Sequence, residues 1–203
     1  MSASLNGFVS MLALGLAACT LQNAVAARAL GVSRLLSLVD DSTSTFIFGL
    51  ELCSVTLLST AAHYFLNYYL LSRLPFADYI RPLAIVLCMA VSFFIVFFFV
   101  IKLTPIKKVD MAVNLMPPAA FSVPSFATIL LTSSNRYGLI SSLVYALGSS
   151  IGYVIAVALV TEGQRKLKNS AIPLSFKGLP VTLLYLAGLA LGIYGLSGYT
   201  FVF

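Results

Sequence analysis

The chain has 203 residues, of which 60% are hydrophobic and 9% charged, and its mean hydropathy is +1.02. A soluble domain carries about 25% charged residues, so this chain has too little charge to cover a globule in water, and lipid is the solvent for most of its surface. The net charge of +6 does not indicate a nucleic-acid partner, because the basic residues fall in the short connections between apolar runs, where a membrane protein collects them beside its lipid.

A helix needs roughly 20 apolar residues to cross ~30 Å of hydrocarbon, and the near-charge-free intervals supply six such lengths, at about 5–27, 44–72, 80–101, 111–133, 137–161 and 179–201. The first is apolar to Thr20, then reads Leu21-Gln22-Asn23 and runs through a Gly31-bearing, Ser-rich stretch to Asp40-Asp41. Within it, Leu16-Ala17-Ala18-Cys19 has the shape of a lipoprotein cleavage box. The positive segment that opens a secretory signal does not precede it, so Cys19 is read as a buried thiol, with lipidation as the alternative. Cys53 and Cys88 are read the same way, since no two cysteines stand at metal-ligand spacing.

The second interval contains Glu51 and, four residues apart near its far end, His63 and Asn67. A carboxylate within hydrocarbon costs a few kcal/mol unless paired or hydrated and marks a functional position by default. Glu51 is therefore a candidate for binding a proton or sodium ion, the alternative being contact with interfacial water or Arg34. His63 and Asn67 are too few for a metal site and are expected to form a satisfied polar patch.

The third interval carries Phe93, Phe94, Phe97, Phe98 and Phe99 on all faces. This excludes the alternating pattern of a barrel strand. The fourth contains Pro117-Pro118 and Pro124; each proline removes a backbone donor and clashes with the preceding turn, so a break is expected there. In the fifth, Gly148 and Gly152 are four apart, as are Gly188 and Gly192 in the sixth, a spacing that lets helix backbones approach closely.

The expected fold is an all-α integral membrane protein, a single polytopic domain of six transmembrane helices. Interruptions in the first and fourth spans, the matching members of two three-helix halves, point to two inverted repeats with a site near the midplane. With connections assigned alternately to the two sides, nine basic residues share one side and Arg73, Arg81 and Arg136 the other. The positive-inside rule then puts both termini outside a bacterial cytoplasmic (inner) membrane. A basic face beside anionic lipid accounts for the isoelectric point.

The stretch Leu143-Val144-Tyr145-Ala146-Leu147-Gly148-Ser149-Ser150-Ile151-Gly152-Tyr153 resembles the fifth span of the small membrane subunits of Rnf and Nqr complexes. The basic run Gln164-Arg165-Lys166-Leu167-Lys168, the glycines from Gly188 to Gly198, and Gln22-Asn23 with Leu30-Gly31-Val32 are similar to other segments of that family. The topology is similar to that of the A subunit of Rnf and the E subunit of Nqr. The resemblance implies two inverted halves, a homologous six-helix sister subunit of opposite topology, flavin-bearing partners, and electron transfer coupled to ion transport. It also implies a two-iron two-sulfur cluster shared with the sister subunit through two cysteines from each. Here Ser33 and Ala120 occupy those two positions. Iron–sulfur clusters need thiolates, so no cofactor is expected in this chain.

Gln22 and Asn23 are candidates for a buried polar network, either capping the broken first helix or lining a pathway with Glu51. No catalytic triad, paired carboxylates or phosphate-cradling loop is present; the chain is at most a non-catalytic subunit. The functional expectation is an Rnf/Nqr-like subunit of an ion-translocating electron-transfer complex. The alternatives are a small-solute or ion transporter without redox chemistry, a homodimer, or a non-redox assembly subunit.

Overall fold

The computed structural model describes residues 2–20, 22–23, 25, 42–73, 75–103, 106–167, 173 and 178–196. Their regular structure is helical: α1 (Ser2–Cys19), α2 (Ser42–Tyr69), α3 (Ala77–Leu103), α4 (Ile106–Ala120), α5 (Val123–Ser134), α6 (Leu139–Leu167) and α7 (Leu179–Leu196), with a short 3-10 turn at Leu71–Arg73. Four stretches are long and apolar enough to cross a membrane, Thr45–Arg73, Tyr79–Lys102, Ala112–Ser134 and Leu139–Leu167. Gly7–Cys19 and Leu179–Gly195 are shorter apolar helices. A helix satisfies its own backbone donors and acceptors, which hydrocarbon cannot do, and so an apolar chain of this kind resolves into helices.

Helices α2 and α6 form the centre. Helix α2 packs on α3, α4, α5 and α6, while α6 packs on α1, α2, α5 and α7. One core cluster joins Phe48 and Leu52 of α2, Ala119 of α4, and Tyr153 and Val157 of α6. A second joins Val55 to Met116 and Ala120, with Phe93 and Phe97 against it. Phe94 and Phe98, on the far side of α3, are 68% and 67% exposed. The phenylalanine run therefore serves two environments, core on one face and acyl chains on the other.

The fourth interval is two helices. Helix α4 carries Pro117 and Pro118 in its last turn and ends at Ala120. Ser122 then caps α5 with extended backbone (φ −81°, ψ 145°), its hydroxyl accepting from the Ser125 amide, and Pro124 sits in the first turn. Prolines near one helix end and a serine cap with proline at the next start are the local chemistry that stops and restarts a helix. With 15 residues in α4 and 12 in α5 rising ~1.5 Å each, the break lies near the middle of the crossing.

Helix α1 approaches α6 closely. A Cβ at Gly148 would meet the Gly15 carbonyl oxygen, and one at Gly152 would meet the Cys19 carbonyl oxygen. The second glycine pair behaves differently, since Gly188 and Gly192 meet nothing within 4 Å and lie on an exposed face of α7. Helix α6 carries the first part of the basic segment as helix, with Glu162 bonded to Arg165 at 2.9 Å on the surface. Gly31, Ser33, Arg34, Lys168 and Lys177 lie outside the described residues.

Candidate functional site

Helix α2 has 28 residues, about 42 Å at 1.5 Å each. Glu51, nine residues from its start, therefore sits roughly 8 Å inside a centred 30 Å hydrocarbon layer. Its side chain is 2% exposed, and neither carboxyl oxygen has a hydrogen-bond partner among the described residues. Interfacial water therefore does not solvate it within this fold, and Arg34 lies outside the described residues. Its neighbours on the buried face, Phe48, Leu52 and Val55, are at most 1% exposed. One turn on, Val55 packs against Ala120 at the end of α4, so Glu51 stands close to the level of the break.

Beyond Glu51, one face of α2 carries Thr56, Ser59, Thr60 and His63, all buried, at the three- and four-residue steps that align side chains along a helix; Glu51, five residues before Thr56, lies outside that stripe. Thr56 Oγ1 donates to the Leu52 carbonyl at 2.6 Å and lies 3.1 Å from Ser125 Oγ, which is 2.7 Å from Ser122 Oγ. Because the Thr56 proton is committed to Leu52, donor accounting gives one direction: Ser122 donates to Ser125, Ser125 to Thr56, and Thr56 to Leu52. The cap of the broken helix is thus wired to the turn that carries Glu51. A second hydroxyl pair, Thr128 to Ser149 at 2.8 Å, ties α5 to α6. The sequence reading missed these hydroxyls. The signal was the spacing of Thr56, Ser59, Thr60 and His63 along one face.

Asn23 is buried and tethers α1 to α6. Its amide donates to the Cys19 carbonyl at 3.0 Å and the Gly152 carbonyl at 2.7 Å, while its oxygen accepts from the Val25 amide at 2.9 Å. This is capping geometry that closes the end of α1. Gln22 next to it has an exposed side chain, so the structure does not bring Gln22, Asn23 and Glu51 into one site. Asn23→Ala is expected to cost about 1–3 kcal/mol, since it strands buried backbone groups. Thermal unfolding in detergent followed by circular dichroism measures this, with Gln22→Ala expected to leave the midpoint unchanged.

Of the two positions at which the family resemblance implies cysteine, Ser33 lies outside the described residues. Ala120 is fully buried between Val55 and Met116 and offers iron no donor atom. Cys88 is buried, and Cys19 and Cys53 are half-buried free thiols on α1 and α2, while Cys88 is on α3. Among the described residues, no three His, Cys, Asp or Glu side chains come together. The residues present do not fit a cluster ligated at Ala120.

His63 requires a correction. A satisfied patch was expected, yet its ring is 3% exposed with no partner at either nitrogen among the described residues. It faces a cavity at the far end of α2 that also takes in Asn67.

A bundle of apolar helices, interrupted at mid-crossing between α4 and α5 and carrying a buried carboxyl on α2 about one turn from the level of that break, defines a polytopic helical membrane protein with an internal polar site. The chain belongs to the family described as Rnf-Nqr subunit, membrane protein, whose family model matches residues 11–200. It is 25% identical over 190 residues to the A subunit of the ion-translocating oxidoreductase complex of Syntrophotalea carbinolica, covering 93% of this chain and 97% of that protein. It is also 25% identical over 183 residues to the A subunit of the Na(+)-translocating ferredoxin:NAD(+) oxidoreductase complex of Acetobacterium woodii, covering 90% and 94%. Over 83 residues, 41% of each chain, it is 30% identical to the E subunit of the Na(+)-translocating NADH-quinone reductase of Shewanella denitrificans.

Proposed function

We propose that this chain is a membrane subunit of an ion-translocating oxidoreductase complex in the bacterial cytoplasmic membrane, that it carries no iron–sulfur cluster of its own, and that Glu51 is its ion site. Similarity to named subunits of such complexes along nearly the whole chain supports the complex. The observation that carries the ion site is a 2%-exposed carboxyl, unpartnered among the described residues, one turn along α2 from the residue that packs on the end of α4.

Six crossings arranged as two inverted halves with both termini outside accommodate this reading. The interruption between α4 and α5 is one of the two breaks that such a repeat requires. Helix α4 ends there with C-terminal carbonyls lacking intrahelical partners, whereas the start of α5 is capped by Ser122. Half-helix carbonyl ends of this kind coordinate cations in membrane transporters. A proton or a sodium ion at Glu51 neutralises a charge that hydrocarbon does not tolerate alone. The hydroxyl line from Ser122 through Ser125 to Thr56 supplies polar groups along the approach. The open glycine face of α7 suits a close-packed helix of a sister subunit.

Co-purification in mild detergent tests the assignment. Tagged chain is expected to bring down a homologous six-helix subunit together with flavin-bearing subunits, while the isolated chain stays colourless and essentially iron-free. Stoichiometric iron with a visible charge-transfer band would overturn the cluster-free reading. Recovery of the chain without flavin-bearing subunits would instead favour a transporter or assembly role free of redox chemistry, a reading to which Ala120 and Glu51 lend weight.

A further inference from the structure

At the opposite end of α2 from Ser42, the helix ends line a half-open cavity of about 500 Å³. Its walls come from the end of α2, the 3-10 turn, the start of α3, the end of α5 and the start of α6. Two arginines, Arg81 and Arg136, line it together with His63, Asn67, Ser133 and Ser142. Among the described residues, none that lines it is acidic. His63 and Ser133 are 3% and 8% exposed, and neither the two ring nitrogens nor the serine hydroxyl has a partner among the described residues. Groups of this kind, buried without partners, are rare and call for an explanation. The cavity is rich in hydrogen-bond donors and carries two guanidinium groups, and it is within the ordinary size range of a small-molecule site, about 300–1,000 Å³.

The backbone at Arg136 is a separate observation. Helix α5 ends with the Arg136 amide bonded to the Ser133 carbonyl at 3.2 Å and the Tyr137 amide to the Thr132 carbonyl at 3.1 Å. This double closure normally places glycine in the left-handed position. Here that position is Arg136, at φ 51°, the one non-glycine residue with positive φ among the described residues. Left-handed backbone strains a side-chain-bearing residue, and the strained position is the one that puts a guanidinium at the cavity wall.

We propose that this cavity binds an oxyanion, the phosphate or carboxylate of a small amphipathic molecule or of a lipid headgroup, with Arg81 and Arg136 supplying charge. The buried His63 and Ser133 donate hydrogen bonds to the oxygens. The three tyrosines on the wall, Tyr64, Tyr68 and Tyr137, take the apolar part of the ligand. Guanidinium forks match carboxylate and phosphate oxygens, and both lipid and free anion present that chemistry.

The test uses the full chain in neutral detergent, with inorganic phosphate and phosphatidylglycerol as separate probes. Phosphate is followed by thermal shift and lipid retention by native mass spectrometry. Wild type is expected to bind at least one probe: protection by phosphate assigns a free oxyanion, and retention of phosphatidylglycerol alone assigns a headgroup. Arg136→Gly is expected to weaken binding at least tenfold while raising the unfolding temperature of the ligand-free protein, because glycine relieves the left-handed position. That pair of effects separates lost recognition from lost folding. His63→Leu should also weaken binding, whereas Arg165→Gln, at the other end of α6, should bind as wild type does. Failure of wild type to bind either probe, or Arg136→Gly and His63→Leu binding as tightly as wild type, would overturn the proposal.

Discussion

Glu51→Gln is expected to lower ion translocation by the assembled complex on the order of tenfold or more, equivalent to at least ~1.4 kcal/mol of barrier, with little change in thermal stability. Glutamine keeps the shape of the side chain and removes its ability to take up or release a cation. The carboxyl is 2% exposed with both oxygens unpartnered among the described residues, so no salt bridge among them is broken. Glu51→Leu sharpens the test. An apolar side chain of similar volume removes two orphaned buried acceptors, a change worth about 1–3 kcal/mol in favour of the fold, and it should be as inactive as the glutamine variant. A variant that is more stable and unable to transport is the pattern of a position held for function. The measurement is sodium or proton uptake into inverted membrane vesicles, with unfolding followed in parallel. Wild-type uptake in Glu51→Gln would remove the carboxyl from the pathway.

The largest structural effect is expected from Gly152→Val. A Cβ at this position meets the carbonyl oxygen of Cys19 and lies 2.9 Å from both the Asn23 side-chain amide and the Cys19 Cα. Backbone cannot rotate aside as a side chain can, so α1 must separate from α6 and Asn23 must give up its 2.7 Å bond to the Gly152 carbonyl. Overpacking costs about 1–3 kcal/mol, and the stranded polar groups add a similar amount. Together these approach the low end of the ~5–15 kcal/mol that holds a typical domain folded. The expected result is poor recovery from membranes and faster maleimide labelling of Cys19, which ends α1. Gly188→Val is the comparison: its glycine meets nothing within 4 Å, and the isolated subunit should keep its unfolding midpoint. Equal loss in both variants would show that the α1–α6 contact is not what makes Gly152 special.

Some of this was legible in the residues alone. A charge fraction of 9% dictates lipid as solvent, and lipid dictates helices, because only internal hydrogen bonding satisfies the backbone there. The break after Pro117-Pro118 was legible because proline acts locally, through its missing amide and its own ring. The family resemblance rested on contiguous stretches such as Leu143–Tyr153, and the family model's match to residues 11–200 bears it out. Glu51 stood out because any ionisable group in an apolar run does.

Facing, by contrast, belonged to the tertiary structure. The two glycine pairs share one spacing, yet Gly148 and Gly152 touch α1 backbone while Gly188 and Gly192 face open space, because spacing defines a stripe on a helix and says nothing of what lies across from it. Asn23 and Gln22 are adjacent in sequence, but one is buried in a three-bond cap and the other is exposed. The hydroxyl line from Ser122 to Thr56 and the cavity that gathers His63, Arg81 and Arg136 draw on residues far apart in the chain. Their meeting depends on how helices pack, which no local pattern encodes.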